Sequence, residues 1–225
     1  MAERGLDYLQ SDTKRSFDVL TASATTVVLS PVMAGIGAAA VVDNRSADIL
    51  FSQGRVGGHG ESQFDVLKVR TLTKNLGNQA VSKIFGPFDP RARTIGRIMR
   101  RAGFDETPQF INILQGHMSM VGPRPLPQDN LELYEAADPK LFEEWLAYFQ
   151  VVKPGLTGKS QIYRHHYRTI TDEMIAHSMR LDLNYFESAT LGEDVKCFGL
   201  TPIRLLRANM YTAEGNTVPI QTNIS

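Results

Sequence analysis

The chain predicts a helix-dominated α+β fold, in which a long N-terminal apolar helix precedes a small domain with a short β-hairpin and amphipathic helices. Three observations carry this. Residues 17–42 hold no charge after Asp18, and roughly 20 apolar residues suffice to cross the hydrocarbon of a bilayer. Two strand-like runs within residues 49–70, Ile49-Leu50-Phe51 and Phe64 to Val69, flank Gly57-Gly58-His59-Gly60, where glycine permits the positive φ of a tight turn. From Ile95 onward, apolar residues recur at helical spacing. The length of 225 residues suits one domain with an appended membrane element and allows a proper core.

The apolar helix comes first. A polar segment of sixteen residues ending in Lys14-Arg15-Ser16 precedes it, and Asp43-Asn44-Arg45 follow it. It is too long for a signal peptide, and the domain behind it looks cytosolic. Three placements are open. A spanning helix would put that domain on the far side from Lys14 and Arg15, outside the cytoplasm by the positive-inside rule. A re-entrant helix that bends at Ser30-Pro31 avoids this conflict, because Pro31 lacks an N–H and clashes with the carbonyl of Val27. The Ser30 hydroxyl is then placed to satisfy freed backbone groups. A buried soluble helix is the third, since Thr, Ser, Gly and Ala keep the segment only moderately hydrophobic.

Composition bounds the rest. Lys plus Arg and Asp plus Glu both number 24, so net charge is zero and no nucleic-acid partner is indicated. Charge is uneven, however: Arg91, Arg93, Arg97, Arg100 and Arg101 crowd one stretch, favouring phosphates or an anionic membrane face. Cys197 is the single cysteine, so no intrachain disulfide forms and a reducing compartment is the default. His59, His117, His165, His166 and His177 lack the spacing of a transition-metal site, whereas a hard-metal site built on carboxylates stays open.

Along the domain, residues 72–90 read as a polar linker. Ile95, Ile98, Met99 and Ala102 form the apolar side of a basic helix, apt for a headgroup layer or for ordinary packing on the core. Gly103 ends it. Asp105-Glu106-Thr107-Pro108 starts another helix, with Thr107 as N-cap and Phe110, Ile111, Ile113 and Leu114 as its apolar face. The two carboxylates thus sit at a helix N-terminus, which itself welcomes phosphate but equally often holds acids for stability alone. In Val121-Gly122-Pro123-Arg124-Pro125 two prolines preorganise Arg124 for a phosphate or a salt bridge. Residues 131–149 are helical in pattern, with Leu131, Leu133, Tyr134, Leu141, Trp145 and Phe149 as anchors. Residues 153–158 read as a turn-rich loop, and those from about 211 onward as a frayed tail.

An ordered set of short motifs then becomes specific. It runs Lys14-Arg15-x-x-Asp18, Ser30-Pro31, Gln53-x-Arg55-x-Gly57-x-x-Gly60, Lys68-x-Arg70, Asp89-Pro90-Arg91 and Gly96-Arg97. Asp105-Glu106-x-Pro108-Gln109, Asn112, Gly116-x-Met118-Ser119, the Val121–Pro125 segment, Pro154-Gly155-x-Thr157-Gly158, Gln161 and Asp182-x-x-Tyr185 complete it. Over about residues 14–207 the chain resembles the bacterial sugar transferases that act as monotopic polyprenyl-phosphate phosphoglycosyl transferases, in their minimal catalytic form. It departs from them at Thr107, usually apolar, and loosely at 72–90, 159–168 and from Thr190 on.

The resemblance implies a polar N-terminus at 1–16, a re-entrant membrane helix at 17–42, a cytosolic domain at 43–210 and a flexible tail at 211–225. It implies the cytoplasmic face of the bacterial inner membrane. The implied reaction transfers a sugar-1-phosphate from a UDP-sugar to polyprenyl (undecaprenyl) phosphate, releases UMP, uses Mg²⁺ and starts surface-polysaccharide or glycoconjugate assembly. Asp105 is then the expected nucleophile. Glu106, facing another way, is the expected Mg²⁺ ligand. Arg124 and Arg91 are the expected phosphate contacts, with Lys68, Arg55, Arg70 and Gln109 behind them. A homodimer through membrane-proximal helices is open. Two other readings also stand: a glycosyltransferase that releases UDP with Glu106 as general base, and a non-catalytic membrane scaffold.

Overall fold

In a computed structural model, residues 2–44, 49–58, 63–71, 94–163 and 171–213 are described. The linker at 72–90, Arg91, Arg93, the His59-Gly60 half of the hairpin turn and the second half of the 159–168 segment lie outside them. Within them the chain is helix-dominated α+β with one long apolar N-terminal helix.

Helix α1 (Ala2–Leu9) precedes α2 (Asp12–Asn44). Hence the apolar stretch belongs to a helix that begins five positions before Phe17 and includes Lys14 and Arg15. The segment Asp12–Ala39 is long and apolar enough to cross a membrane, and very little of it is buried within the protein. Val27 and Val28, for example, are 72% and 73% exposed. Three of its hydroxyls bond within the helix: those of Thr21, Thr26 and Ser30 donate to the carbonyls of Phe17, Ala22 and Val27. The helical turns do not stop at Ser30-Pro31, because Pro31 lies inside α2. Val27 is the residue whose carbonyl loses its partner at Pro31, and the Ser30 Oγ replaces that bond at 2.8 Å.

The expected hairpin is present as β1 (Leu50–Val56) and β2 (Gln63–Val69), antiparallel with Leu50 opposite Val69 and Val56 opposite Gln63. Phe64 and Val66 alternate inward, as a half-buried strand requires. Helix α3 (Thr94–Ala102) follows the linker and ends at Gly103, whose φ of 72° is left-handed. Ile98 does not join the buried face with Met99; it is exposed between exposed Arg97 and Arg101.

Three sequence expectations change beyond this point. Thr107 is not an N-cap: Phe104–Glu106 form a 3-10 turn that runs on into α4 (Gln109–Gln115), and the Thr107 hydroxyl donates backward to the Phe104 carbonyl. The acids therefore lie within a turn that is already hydrogen-bonded rather than at an open helix N-terminus. Residues 131–149 are two helices, α5 (Asp129–Ala137) and α6 (Pro139–Phe149). Asp138 divides them, because its extended backbone and its carboxylate, which accepts from Leu141 N, cap α6 ahead of Pro139. Leu133 is exposed, while Trp145 and Phe149 are core. Third, the loop at 153–158 contains a strand: β4 (Gly155–Thr157) pairs in parallel with β3 (Ser119–Val121). Side chains would not fit where these strands cross closely, since a Cβ on Gly155 would collide with the Gly122 backbone.

Helices α7 (Lys159–Tyr163), α8 (Asp172–Ser188) and α9 (Leu191–Ala213) close the fold. The core forms where α6 and α8 meet β3: Trp145, Phe149, Met179, Tyr185, Phe186, Met120 and Val121 are almost fully buried. The Trp145 and Phe149 rings stack at 4.4 Å, and the Trp145 indole donates to Asp182 at 3.1 Å.

Candidate active site

Gly103 reverses the chain after α3, and the 3-10 turn that follows projects Asp105 and Glu106 to different sides. Asp105 is buried, 9% exposed. Glu106 faces the hairpin, where its Oε1 accepts from Lys68 Nζ at 2.9 Å and from an Arg124 guanidinium nitrogen at 3.0 Å. Both cations use the same oxygen, so Oε2 is the one not committed to them.

The cations are held from two directions. Lys68 sits on β2, and Asn112 fastens that strand to α4: Asn112 Oδ1 accepts from Leu67 N at 3.0 Å and its Nδ2 donates to Asp65 O at 2.8 Å. Arg124 follows β3. Gly122 N donates to Thr157 O, Gly155 N donates to Pro123 O, and Val56 N donates to Leu126 O, so the Arg124 segment is braced by β4 on one side and β1 on the other. Arg55, Val66, Lys68, Glu106, Gln109, Arg124, Pro125, Gly155 and Leu156 line the resulting cleft. Arg55 donates to Gln53 Oε1 at 2.6 Å, while its buried Nε has no partner among the described residues.

These surroundings make the two acids unequal. Burial, reinforced by the neighbouring Glu106 charge, pushes the Asp105 carboxyl up to about 6. Burial opposes ionisation of Glu106 too, but Lys68 and Arg124 outweigh it and hold that carboxyl well below the usual range. Glu106 in turn raises the Arg124 guanidinium further. Arg55 is lowered to about 10 by burial and by Arg124 across the cleft, partly offset by Glu106.

Of the residues expected from sequence, Asp105 lies on the same turn as Glu106 beside the cleft. Arg124, Lys68, Arg55, Gln109 and Glu106 come together in it. Arg70 does not: its guanidinium stacks over the Phe51 ring at 5.2 Å, beyond the cleft end of β2. Arg91 falls outside the described residues. One carboxylate, Glu106, stands in a cleft otherwise lined by phosphate-seeking cations, with Asp105 next to it in the chain, and Mg²⁺ takes one or two carboxylates plus water and phosphate oxygens.

Sequence reasoning missed the fastening of α2. Lys14 Nζ donates to Val121 O at 2.9 Å, Arg15 donates to the Ile113 and Leu114 carbonyls that end α4, and Asp18 accepts from Ser119 Oγ and Met120 N. Lys14 also meets Asp194, which is fully buried in the part of the chain that was least readable. An acid one turn after a Lys-Arg pair was the available signal, and the apolar run behind it drew it into a topology argument instead.

Comparison with known proteins accords with this geometry. The family described as bacterial sugar transferase matches residues 9–208. The chain is 35% identical over 200 residues to a UDP-glucose:undecaprenyl-phosphate glucose-1-phosphate transferase of Caulobacter vibrioides, an alignment covering 88% of this chain and 72% of that one. It is 32% identical over 197 residues to the exopolysaccharide production protein ExoY of Rhizobium meliloti, covering 81% and 80%. It is 35% identical over 188 residues to a second UDP-glucose:undecaprenyl-phosphate glucose-1-phosphate transferase, from Escherichia coli, covering 84% of this chain but 39% of that longer protein. With the matched region running from α1 almost to the end of α9 and enclosing every residue of the cleft, the chain belongs to the bacterial sugar transferase family.

Proposed function

We propose that this protein transfers a sugar-1-phosphate from a UDP-sugar to undecaprenyl phosphate, the reaction named for its Caulobacter and Escherichia coli relatives, and so initiates assembly of a surface polysaccharide. The observation that carries this reading is the pairing of a desolvated Asp105 with a Glu106 held anionic by Lys68 and Arg124. A buried carboxylate stripped of water is a capable nucleophile toward phosphorus.

In this mechanism an Asp105 carboxylate oxygen attacks the sugar-bearing phosphorus. The bond from that phosphorus to the bridging oxygen breaks, and UMP leaves with the electron pair. An oxygen of the lipid phosphate then attacks the same phosphorus, and the Asp105 carboxylate departs, giving the lipid diphosphate sugar and regenerating the enzyme. Lys68, Arg124 and Arg55 balance the charge of the diphosphate. The cleft is narrow, with about 10 Å³ of free space, room for about one water, so donor binding has to widen it. Glu106, with Asp105 beside it, would hold Mg²⁺, which when bound neutralises charge on the diphosphate and the departing UMP.

The same reading places the cleft on the cytoplasmic membrane face, with α2 entering and leaving by one side. Its support is topological. Tyr8 and Lys14, ahead of the apolar stretch, bond in the interior to Asp194 and Val121, which come after it. A single crossing would leave these partners on opposite sides of the bilayer. Pro31, with its backbone defect repaired by Ser30, is the natural place for α2 to turn. Ile98, Ile111 and Leu114, exposed on α3 and α4, are suited to the headgroup boundary.

The test is product identity. Protein in nanodiscs is given UDP-sugars, Mg²⁺ and undecaprenyl phosphate, and the released nucleotide is measured. UMP is expected; UDP would make the enzyme a glycosyltransferase and remove Asp105 as nucleophile. Cysteines placed at either end of α2 should both react from the cytoplasmic side, and labelling of one from outside would overturn the same-face placement.

A further inference from the structure

The interior of the domain contains a charged cluster that the proposed chemistry does not use. Asp194 on α9 is fully buried and accepts three bonds: from Lys14 Nζ at 2.6 Å and Tyr8 OH at 2.8 Å on one oxygen, and from Tyr185 OH at 2.6 Å on the other. Lys14, also buried, has three N–H groups. It directs them at Asp194, at the Val121 carbonyl (2.9 Å) and toward Asp18 (3.4 Å). Asp18 is satisfied by Ser119 Oγ at 3.0 Å and Met120 N at 2.9 Å. The Tyr185 hydroxyl, its one proton given to Asp194, lies 3.2 Å from the Val121 carbonyl.

Burying two carboxylates around one ammonium is costly, and apolar packing would serve stability as well or better. What the cluster supplies is registration. It joins α1 through Tyr8, α2 through Lys14 and Asp18, α8 through Tyr185 and α9 through Asp194, and all of them converge on the three residues of β3. Three residues beyond Val121 stands Arg124. Little slack separates them, because Gly122 is bonded to β4 and Pro123 has a fixed φ. A shift of α2 against β3 therefore reaches the Arg124–Glu106 contact almost undiminished.

We propose that Asp194 is a positioning residue: acting through Lys14 and Tyr185, it sets the height and register of the Arg124 segment relative to the membrane helix, and thereby the use of the lipid-borne acceptor. The proposal rests on the functional reading above and adds to it a residue with no contact to either substrate. A phosphate on a membrane-embedded isoprenoid is presented at one depth only, so its capture depends on the fixed relation between α2 and the cleft. A nucleotide sugar arrives from water and imposes no such demand.

The test compares two acceptors of like chemistry, undecaprenyl phosphate in nanodiscs and a short water-soluble isoprenyl phosphate, for wild type, Asp194→Asn and Tyr8→Phe. The Tyr8→Phe variant removes a single hydroxyl and leaves the buried ion pair intact, so it keeps the test valid where Asp194→Asn folds poorly. The expected result is a ratio of membrane-acceptor KM to soluble-acceptor KM that rises at least about tenfold in Asp194→Asn and a few-fold in Tyr8→Phe, any effect on donor binding being common to both acceptors and cancelling in the ratio. An unchanged ratio in both variants, whatever happens to Tm, overturns the proposal and leaves the cluster a stability element. If the wild type transfers to neither acceptor, the functional reading falls and this proposal falls with it; an active wild type with an unchanged ratio overturns the proposal alone.

Discussion

The two acids of the Phe104–Glu106 turn, neighbours in the chain, sit in opposite electrostatic surroundings. On one side Asp105 is buried and its carboxyl is pushed up to about 6 by burial and by its neighbour. On the other, Glu106 meets Lys68 and Arg124 and is held well below the ordinary carboxylate range despite burial. The lesson is that a tight turn lets one backbone give identical functional groups opposite tasks. In the proposed mechanism Glu106 stays anionic and organises cations, whereas Asp105 keeps the more basic, less solvated oxygen for attack on phosphorus. Two acids facing the same way would compete for the same cations and share one behaviour.

The largest way to break this asymmetry is to neutralise each acid in turn. In Asp105→Asn, UMP release should fall by at least about a thousandfold, as loss of a covalent nucleophile does. In Glu106→Gln it should fall by about a hundredfold, since the cations keep their places but lose the anion that orders them. Steady-state rates with verified folding measure both. A worse loss at Glu106 would mean that the roles are reversed, and equal losses that the two acids act as one unit.

A smaller effect sharpens the comparison through pH. Asp105 must be ionised to attack, so wild-type kcat/KM for the donor should drop about tenfold per unit below pH 6. The sign is fixed by the raised Asp105 value: the nucleophile is protonated as pH falls through it. Glu106, with its depressed value, remains charged over the same window and contributes nothing to that limb. Lys68 lowers the Asp105 value, so Lys68→Met should move the limb upward. A limb that stays in place would show that Asp105 is not the group being titrated.

How much of this was legible beforehand depended on whether the controlling physics was local. The apolar helix, the hairpin and the left-handed stop at Gly103 follow from composition, spacing and a single φ, and they are present. Asp105, Glu106 and Arg124 stood out as motifs, and three of the expected cations do meet Glu106 or its cleft. Strand β4 was unreadable because a three-residue parallel strand exists only by virtue of its distant partner, and glycine, its first residue, ordinarily signals a turn. Thr107 was misread because the rule for caps applies to a fresh helix start, whereas here the 3-10 turn already occupied the preceding residues. The split at Asp138-Pro139 was readable and was passed over in favour of apolar periodicity. Lys14 was read as a charge for the membrane surface, yet it is buried against Val121 and Asp194, residues more than a hundred positions away.

Asn112 offers the smallest and most discriminating perturbation of the turn. It touches neither acid, but its amide spans α4 and β2, and that span is what keeps Lys68 opposite Glu106 while Arg124 is braced independently by β4 and β1. Asn112→Ala leaves the Leu67 N–H and the Asp65 carbonyl without their partner, which costs about 1–3 kcal/mol where such groups are shielded from water. Thermal unfolding should register that loss. If the strand contact positions Lys68, donor KM should also rise a few-fold, and the acid limb should move in the same upward direction as in Lys68→Met, only less. Lowered stability with an unmoved limb would separate the two effects, and it would place the control of Asp105 with burial and Glu106 alone.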